Sequence, residues 1–247
     1  MIDLSVLERF QFEYPPIGIK YTVYKPNHLL KLSKKMALCE MLAEAQKADE
    51  GFYAQLDNHN CGVGPYILGE NDGDPAMVSG QIGPALGVYD DARANRQIYL
   101  DMPRLASKTA PYVLFHKVKG IPFDPDIIVL ICKPSQAEVI LRAKGYHNGK
   151  GWTAKGTPVA GCAYLFMYPY ITGEVNMMVT GLHHGMKVRG IFPEGLIMLS
   201  IPFQVIPEVI NNLKEMKWEL PQYSWGGDYH VKHMKEISDS IKKAMAE

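Results

Sequence analysis

Strand-type and helix-type apolar patterns are interleaved along this chain without a regular strand–helix–strand alternation. A doubly wound parallel sheet needs that alternation. The pattern therefore predicts an α+β fold, a mixed and mostly antiparallel sheet with helices packed on one face. Strands are expected at IGIKYTVY (17–24), 52–56, YVLFHKV (112–118), DIIVLIC (126–132), 174–180 and GLIMLSIP (195–202). Helices are expected at 3–10, from a Ser33 cap to Gly51, at 89–105, from a Ser135 cap to Ala143, and over VAGCAYLFMY (159–168). Two more are expected around 209–216 and 231–241. No linker stands out in the 247 residues, so a single compact domain is expected, with any internal division near the Gly- and Lys-rich stretch 146–158.

Composition removes several functions. Lys plus Arg and Asp plus Glu are 26 each, so the chain lacks the basic excess of a nucleic-acid binder. Apolar residues make up 47%, enough for a packed core, which excludes wholesale disorder. No apolar run reaches membrane-spanning length, and Asp3, Glu8 and Arg9 interrupt the first ten residues, so no membrane span and no secretory leader are expected. The expected compartment is the cytoplasm. The four cysteines, Cys39, Cys61, Cys132 and Cys162, are then free thiols or ligands rather than a disulfide scaffold.

Familiar catalytic signatures are missing. There is no CxxC, HExxH or GxSxG, GVGPYILG departs from the GxGxxG spacing, and TAKGTP lacks the end of a phosphate loop. What remains is a set of thiols and imidazoles. Cys61 follows Asp57, Asn58, His59 and Asn60 and precedes Gly62 and Gly64, in a loop that keeps a thiol accessible and turns backbone amides towards a bound group. Cys39 falls on the apolar stripe of its helix and Cys162 in an apolar helix. Each alone reads as a packed core thiol, and Cys132 reads as core at the end of its strand. Together Cys39, Cys61 and Cys162 supply three soft ligands, which suits an iron–sulfur cluster. His183 and His184, between two glycines in GLHHGMKVRG, offer a metal ligand or an acid–base group. His183 is the expected fourth metal position. His59, Gly62, Gly64 and His184 are the expected cofactor-binding residues around it.

The same segments give a family resemblance. LCEMLAEA (38–45), HNCGVGPYILG (59–69), DIIVLICKPSQAEVILRA (126–143), GTPVAGCAYLFMYPYITGE (156–174) and the GLIMLSIP strand resemble, in order and spacing, the archaeal and bacterial domain-of-unknown-function family number 169. The resemblance implies Cys at positions 39, 61 and 162, and a further Cys in the loop before the last strand. Here that loop is GLHHGMKVRG, without Cys, so the resemblance implies a His-ligated or open fourth position, or a different cofactor. It implies no established reaction.

The resulting expectation is a redox or metal-cofactor protein, with a small-molecule substrate or a redox partner protein. Homo-oligomerisation stays open. The alternatives are a haem or other tetrapyrrole held by His183, His184 or a thiolate, a metal-free enzyme with Cys61 as nucleophile and His59 or His184 as base, and a binding protein without chemistry.

Overall fold

The computed structural model describes residues 3–246. One compact unit ends at Lys214 and a second begins at Glu215. The first contains a seven-stranded sheet in the order β2-β3-β4-β1-β5-β7-β6. Its strands are β1 (Tyr14–Thr22), β2 (Leu30–Lys31), β3 (Phe52–Ala54), β4 (Tyr112–Lys117), β5 (Ile127–Cys132), β6 (Asn176–Val179) and β7 (Ile197–Pro202). Only β2 and β3 run parallel, so the sheet is mixed and mostly antiparallel. Between β1 and β5 the register slips between Tyr14 and Ile17. Pro15 and Pro16 occupy the gap, and neither can donate to a ladder.

The helices are α1 (Leu38–Lys47), α2 (Val63–Ile67), α3 (Pro75–Val78), α4 (Ile82–Ala85), α5 (Ala92–Asp101), α6 (Pro134–Gly145), α7 (Tyr168–Thr172), α8 (His184–Val188) and α9 (Ile206–Glu215). The second unit carries the 3-10 turn Pro221–Ser224 and α10 (Gly227–Ala246), with Val231, Met234, Ile237 and Ile241 at helical spacing.

The α+β architecture matches the sequence pattern, but helices cover both faces of the sheet, where the pattern predicts one covered face, because a strand such as β5 is apolar at every position. All six residues of β5 are buried. Ile127, Val129 and Ile131 join one large core with α1, α2 and the segment after Cys162. Ile128, Leu130 and Cys132 point the other way, since strand side chains alternate. That second face is covered by α6, through Ala137, Ile140 and Leu141, and by α9, through Val209, Ile210 and Leu213, all buried. The Asn212 amide donates to Ala143 O at 2.7 Å and ties α9 to α6. A strand apolar at every position needs such double cover.

Two local readings differ from the sequence pattern. Ser33 does not start α1. The helix begins after Ala37, whose N–H donates to Glu40 Oε2 at 2.7 Å, half of a capping box without its hydroxyl. The apolar run after Cys162 is a π-helix over Ala163–Met167, continued by α7. Two of its carbonyls are taken by outside side chains. Tyr21 Oη donates to Phe166 O at 3.2 Å and Asn176 Nδ2 to Tyr164 O at 3.0 Å. Pro169 supplies no N–H to the ladder. Both effects favour the wider turn, a form common at functional sites.

Phe115 is fully buried and stacks on Phe52 with ring centroids 5.4 Å apart. Phe115→Ala removes this packing and leaves a cavity under α1. The expected loss is about 3–5 kcal/mol, read from the urea midpoint at unchanged slope.

Candidate functional site

Cys39 is held by the first turn of α1. Its neighbours Leu38, Met41 and Leu42 are buried against the sheet, and each such side chain contributes about 1.5–3 kcal/mol by leaving water. Cys61 reaches α1 because Asn58 and Met36 join the two segments. Met36 N donates to Asn58 O at 2.8 Å and Asn60 N to Met36 O at 3.1 Å. The buried Asn58 amide also donates to Leu32 O at 2.7 Å and accepts Gln55 N at 3.0 Å. The Cys61 loop is thus stitched to the chain entering α1. Cys162 immediately precedes the π-helix, two residues after Ala160, which holds a left-handed backbone at φ 54°. That conformation is costly for a side-chain-bearing residue, and such strain gathers at functional sites.

Cys39, Cys61 and Cys162 share one neighbourhood. Cys39 and Cys162 lie in the main core, with Cys61 packed against it half-buried. Burial pushes the Cys39 thiol up to about 12, opposed by the Arg189 charge and reinforced by Cys61. Burial also holds Cys162 well above the ordinary thiol range, helped by Cys39 and Cys61. Tyr99 of α5, raised to about 12 first by burial, also feels Cys61 and Cys162. Its carbonyl accepts the Tyr66 hydroxyl at 3.0 Å, which fixes α5 against α2. Cys132 is raised to about 12 by burial alone, and no other thiol acts on it. It lies on the opposite face of β5, as its place in the strand requires.

The histidines flank these thiols. The His59 ring lies against Gly64, where an added Cβ would meet Nδ1 at 2.6 Å. Gly64 thus makes room for an imidazole, whereas sequence pointed to its backbone amide. Gly62, in the same turn, faces Met77. Both His59 nitrogens are buried without a partner, and burial pushes its pKa down to about 4 against the pull of Asp57. His183 is buried, its ring against Gly161, one residue before Cys162, with Gly156 also close. Its Nδ1 stands 2.9 Å from Thr157 O. Only a donor suits that carbonyl, so Nε2 carries the lone pair, and that atom is buried and unpartnered. Burial lowers the pKa of His183, keeping the ring neutral. A metal-binding imidazole is oriented by this kind of outer hydrogen bond. His184 is half-buried at the start of α8, its N–H donating to Pro158 O at 2.7 Å.

Among the described residues no three of His, Cys, Asp and Glu are arranged around a single metal ion. The thiols are neighbours without closing on one point. Sequence reasoning missed Tyr99, Arg189, the cradle glycines Gly156 and Gly161, and the buried carboxyl of Glu70. Both Glu70 oxygens lack partners, and burial, then Asp57, raises its pKa to about 7. No local motif marks any of these residues, since each acquires its role from packing. Among the described residues no helix is long and apolar enough to cross a membrane.

His59 and Glu70 impose opposite pH dependences. Between about pH 4 and 6.5 the unfolded chain binds a proton on His59 that the native ring refuses, so this residue lowers stability as pH falls. Between about pH 4.5 and 7 native Glu70 keeps a proton that the unfolded chain releases, so its contribution is lost as pH rises. His59→Asn removes the first dependence and leaves the second. Its stability relative to the parent is expected to be about 2 kcal/mol more favourable at pH 4.5 than at pH 7.5. Urea unfolding of both proteins at the two pH values measures this, and the difference cancels any fixed packing cost.

No curated protein and no solved structure matches this chain. The family model of DUF169, described as an uncharacterised ArCR family, matches residues 6–212 of 247. That span includes β1 to β7, all four cysteines and the three candidate histidines His59, His183 and His184, and it ends within α9. The chain belongs to the DUF169 family.

Proposed function

We propose that this protein binds an iron–sulfur cluster through Cys39, Cys61 and Cys162, with His183 or an exogenous ligand at the fourth position, and serves as a redox or substrate-activating protein of the cytoplasm. One observation carries the reading. Three of four cysteines, drawn from three distant segments, share one core, Cys39 and Cys162 within it and Cys61 packed against it, while Cys132 stands apart from that core. A packing accident has no reason to gather thiols in this way, since free Cys behaves as a small hydrophobe.

The apolar and aromatic surroundings, Leu38, Tyr66, Met77, Tyr99 and Met186, would exclude water, and the potential would follow from that burial. Loading would displace thiol protons, because burial holds Cys39 and Cys162 in their neutral forms. The His183 lone pair at Nε2 is ready without loss of a proton.

Anaerobic reconstitution with ferrous iron and sulfide tests the reading. The expected product has a broad visible absorption that dithionite bleaches, with iron and acid-labile sulfide in equal amounts. Cys39→Ser, Cys61→Ser and Cys162→Ser are each expected to lose most of the colour, while Cys132→Ser keeps it. A sharp Soret band in protein purified from cells would replace the cluster with a tetrapyrrole. Colourless protein without iron, reactive at Cys61, would favour a thiol enzyme instead.

A further inference from the structure

The helix α10 (Gly227–Ala246) is 20 residues long and buries none of them. Val231, Met234, Ile237, Ile241 and Met245 are nevertheless apolar, and they lie between 37% and 83% exposed. Their spacings of three and four put them on one face of the helix. A helix of this kind gains most of its stability by packing its apolar face, so the stripe calls for a partner. The flanks of the stripe differ. Asp228, Lys235 and Lys242 recur every seven residues along one of them. On the other, Trp225 packs edge-on against Tyr229 and His233, with ring centroids 5.3 and 4.7 Å away. The polar face carries Lys232, Lys235, Lys242 and Lys243 against Asp228, Glu236 and Asp239, close to balance. A helix that lies on an anionic membrane presents an excess of Lys and Arg there instead.

We propose that α10 is a homodimerisation helix, which pairs antiparallel with α10 of a second copy of this chain across a two-fold axis. Charge selects this occupant. An axis through the middle of α10 brings Asp228 of each copy beside the partner's Lys242, so the flank is complementary to itself. In a parallel pair the same two charges would lie about 21 Å apart. Lys242 is free to make the contact, since its Nζ stands 3.8 Å from Asp239 Oδ1, longer than a hydrogen bond. The same axis sets Val231 against the partner's Ile241 and Met234 against the partner's small Ser238, so apolar side chains meet in layers. Lys235 falls beside the axis, and its long stem can turn the ammonium to solvent. The stripe from Val231 to Met245 covers only two heptads, about 21 Å, which makes a reversible dimer rather than an obligate one.

Sedimentation equilibrium of the full chain over a wide concentration range, at low ionic strength, gives the test. The weight-average mass is expected to rise from the 27.7 kDa of one chain towards twice that value. Ile241→Asp alters an exposed residue and leaves the core untouched, and it is expected to raise the dissociation constant at least about tenfold. Asp228→Lys and Lys242→Asp each set like charges face to face, and each is expected to weaken its own dimer at least about fivefold. An equimolar mixture of these two variants is expected to recover most of the parent's association. The mixed dimer restores both opposite-charge pairs, while each helix keeps the altered end that it carries alone, so any cost to the helix itself cancels. A chain that stays monomeric at every concentration overturns the proposal, and sedimentation of that monomer with phosphatidylserine vesicles would assign the stripe to a membrane. A dimer indifferent to Ile241→Asp overturns it, because the contact then lies elsewhere. Mixing without rescue overturns it as well, because the two flanks then do not face each other.

Discussion

The buried amide of Asn176 holds the site side of this fold together. It sits at the start of β6, fully buried, and all four of its hydrogen-bonding capacities are met. Its Oδ1 accepts from Thr153 Oγ1 at 3.0 Å and Lys155 N at 2.9 Å. Its Nδ2 donates to Lys155 O and Tyr164 O, both at 3.0 Å. One side chain thus ties the edge strand to the 146–158 loop and to the π-helix after Cys162. An amide buried without partners would cost several kcal/mol, whereas a fully satisfied one specifies a single arrangement. That arrangement sets where Cys162 lies, and through Gly156 and Gly161 where the His183 ring can rest.

The sheet separates the four thiols by parity. On β5, Ile127, Val129 and Ile131 face the core that contains Cys39 and Cys162, and Cys132 falls among the residues facing α6 and α9. No displacement of a loop can bring Cys132 across a sheet packed on both sides. The partition into three neighbours and one outsider follows from a period of two and a strand buried on both faces. It also explains why the isolated thiol is raised by burial alone, while burial of Cys39 and Cys162 is reinforced by neighbouring thiols.

Much of this was legible in the residues. The main strands declare themselves by composition, and Cys39 lies on the apolar stripe that α1 does bury. The Gly-rich loop around Cys61 does present its thiol partly to solvent. Other features were not legible, for physical reasons. The cap of α1 moved from Ser33 to Ala37 because a carboxylate three residues later supplied the acceptor. The π-helix depends on donors from Tyr21 and Asn176, 145 and 12 residues from the carbonyls they reach. Helices α2, α3 and α4 are only four or five residues long and hide among glycines and prolines. Gly64 reads as a turn residue and Gly161 as part of an apolar helix, and the structure uses both as floors for imidazole rings. The π-helix donors and the glycine floors are tertiary effects, and local spacing carries no trace of them.

The electrostatic character of the pocket follows from burial acting on every group in the same direction. Desolvation disfavours the charged form whatever its sign. It pushes the thiols of Cys39 and Cys162 up and the imidazoles of His59 and His183 down. The result is a set of thiols and imidazoles held uncharged. Such a set leaves no buried charge uncompensated. It is also unequal in readiness. The imidazoles offer lone pairs at once, while each buried thiol must first yield a proton. For the proposed cluster, a rise in pH would therefore favour the thiolate ligands far more than the imidazoles.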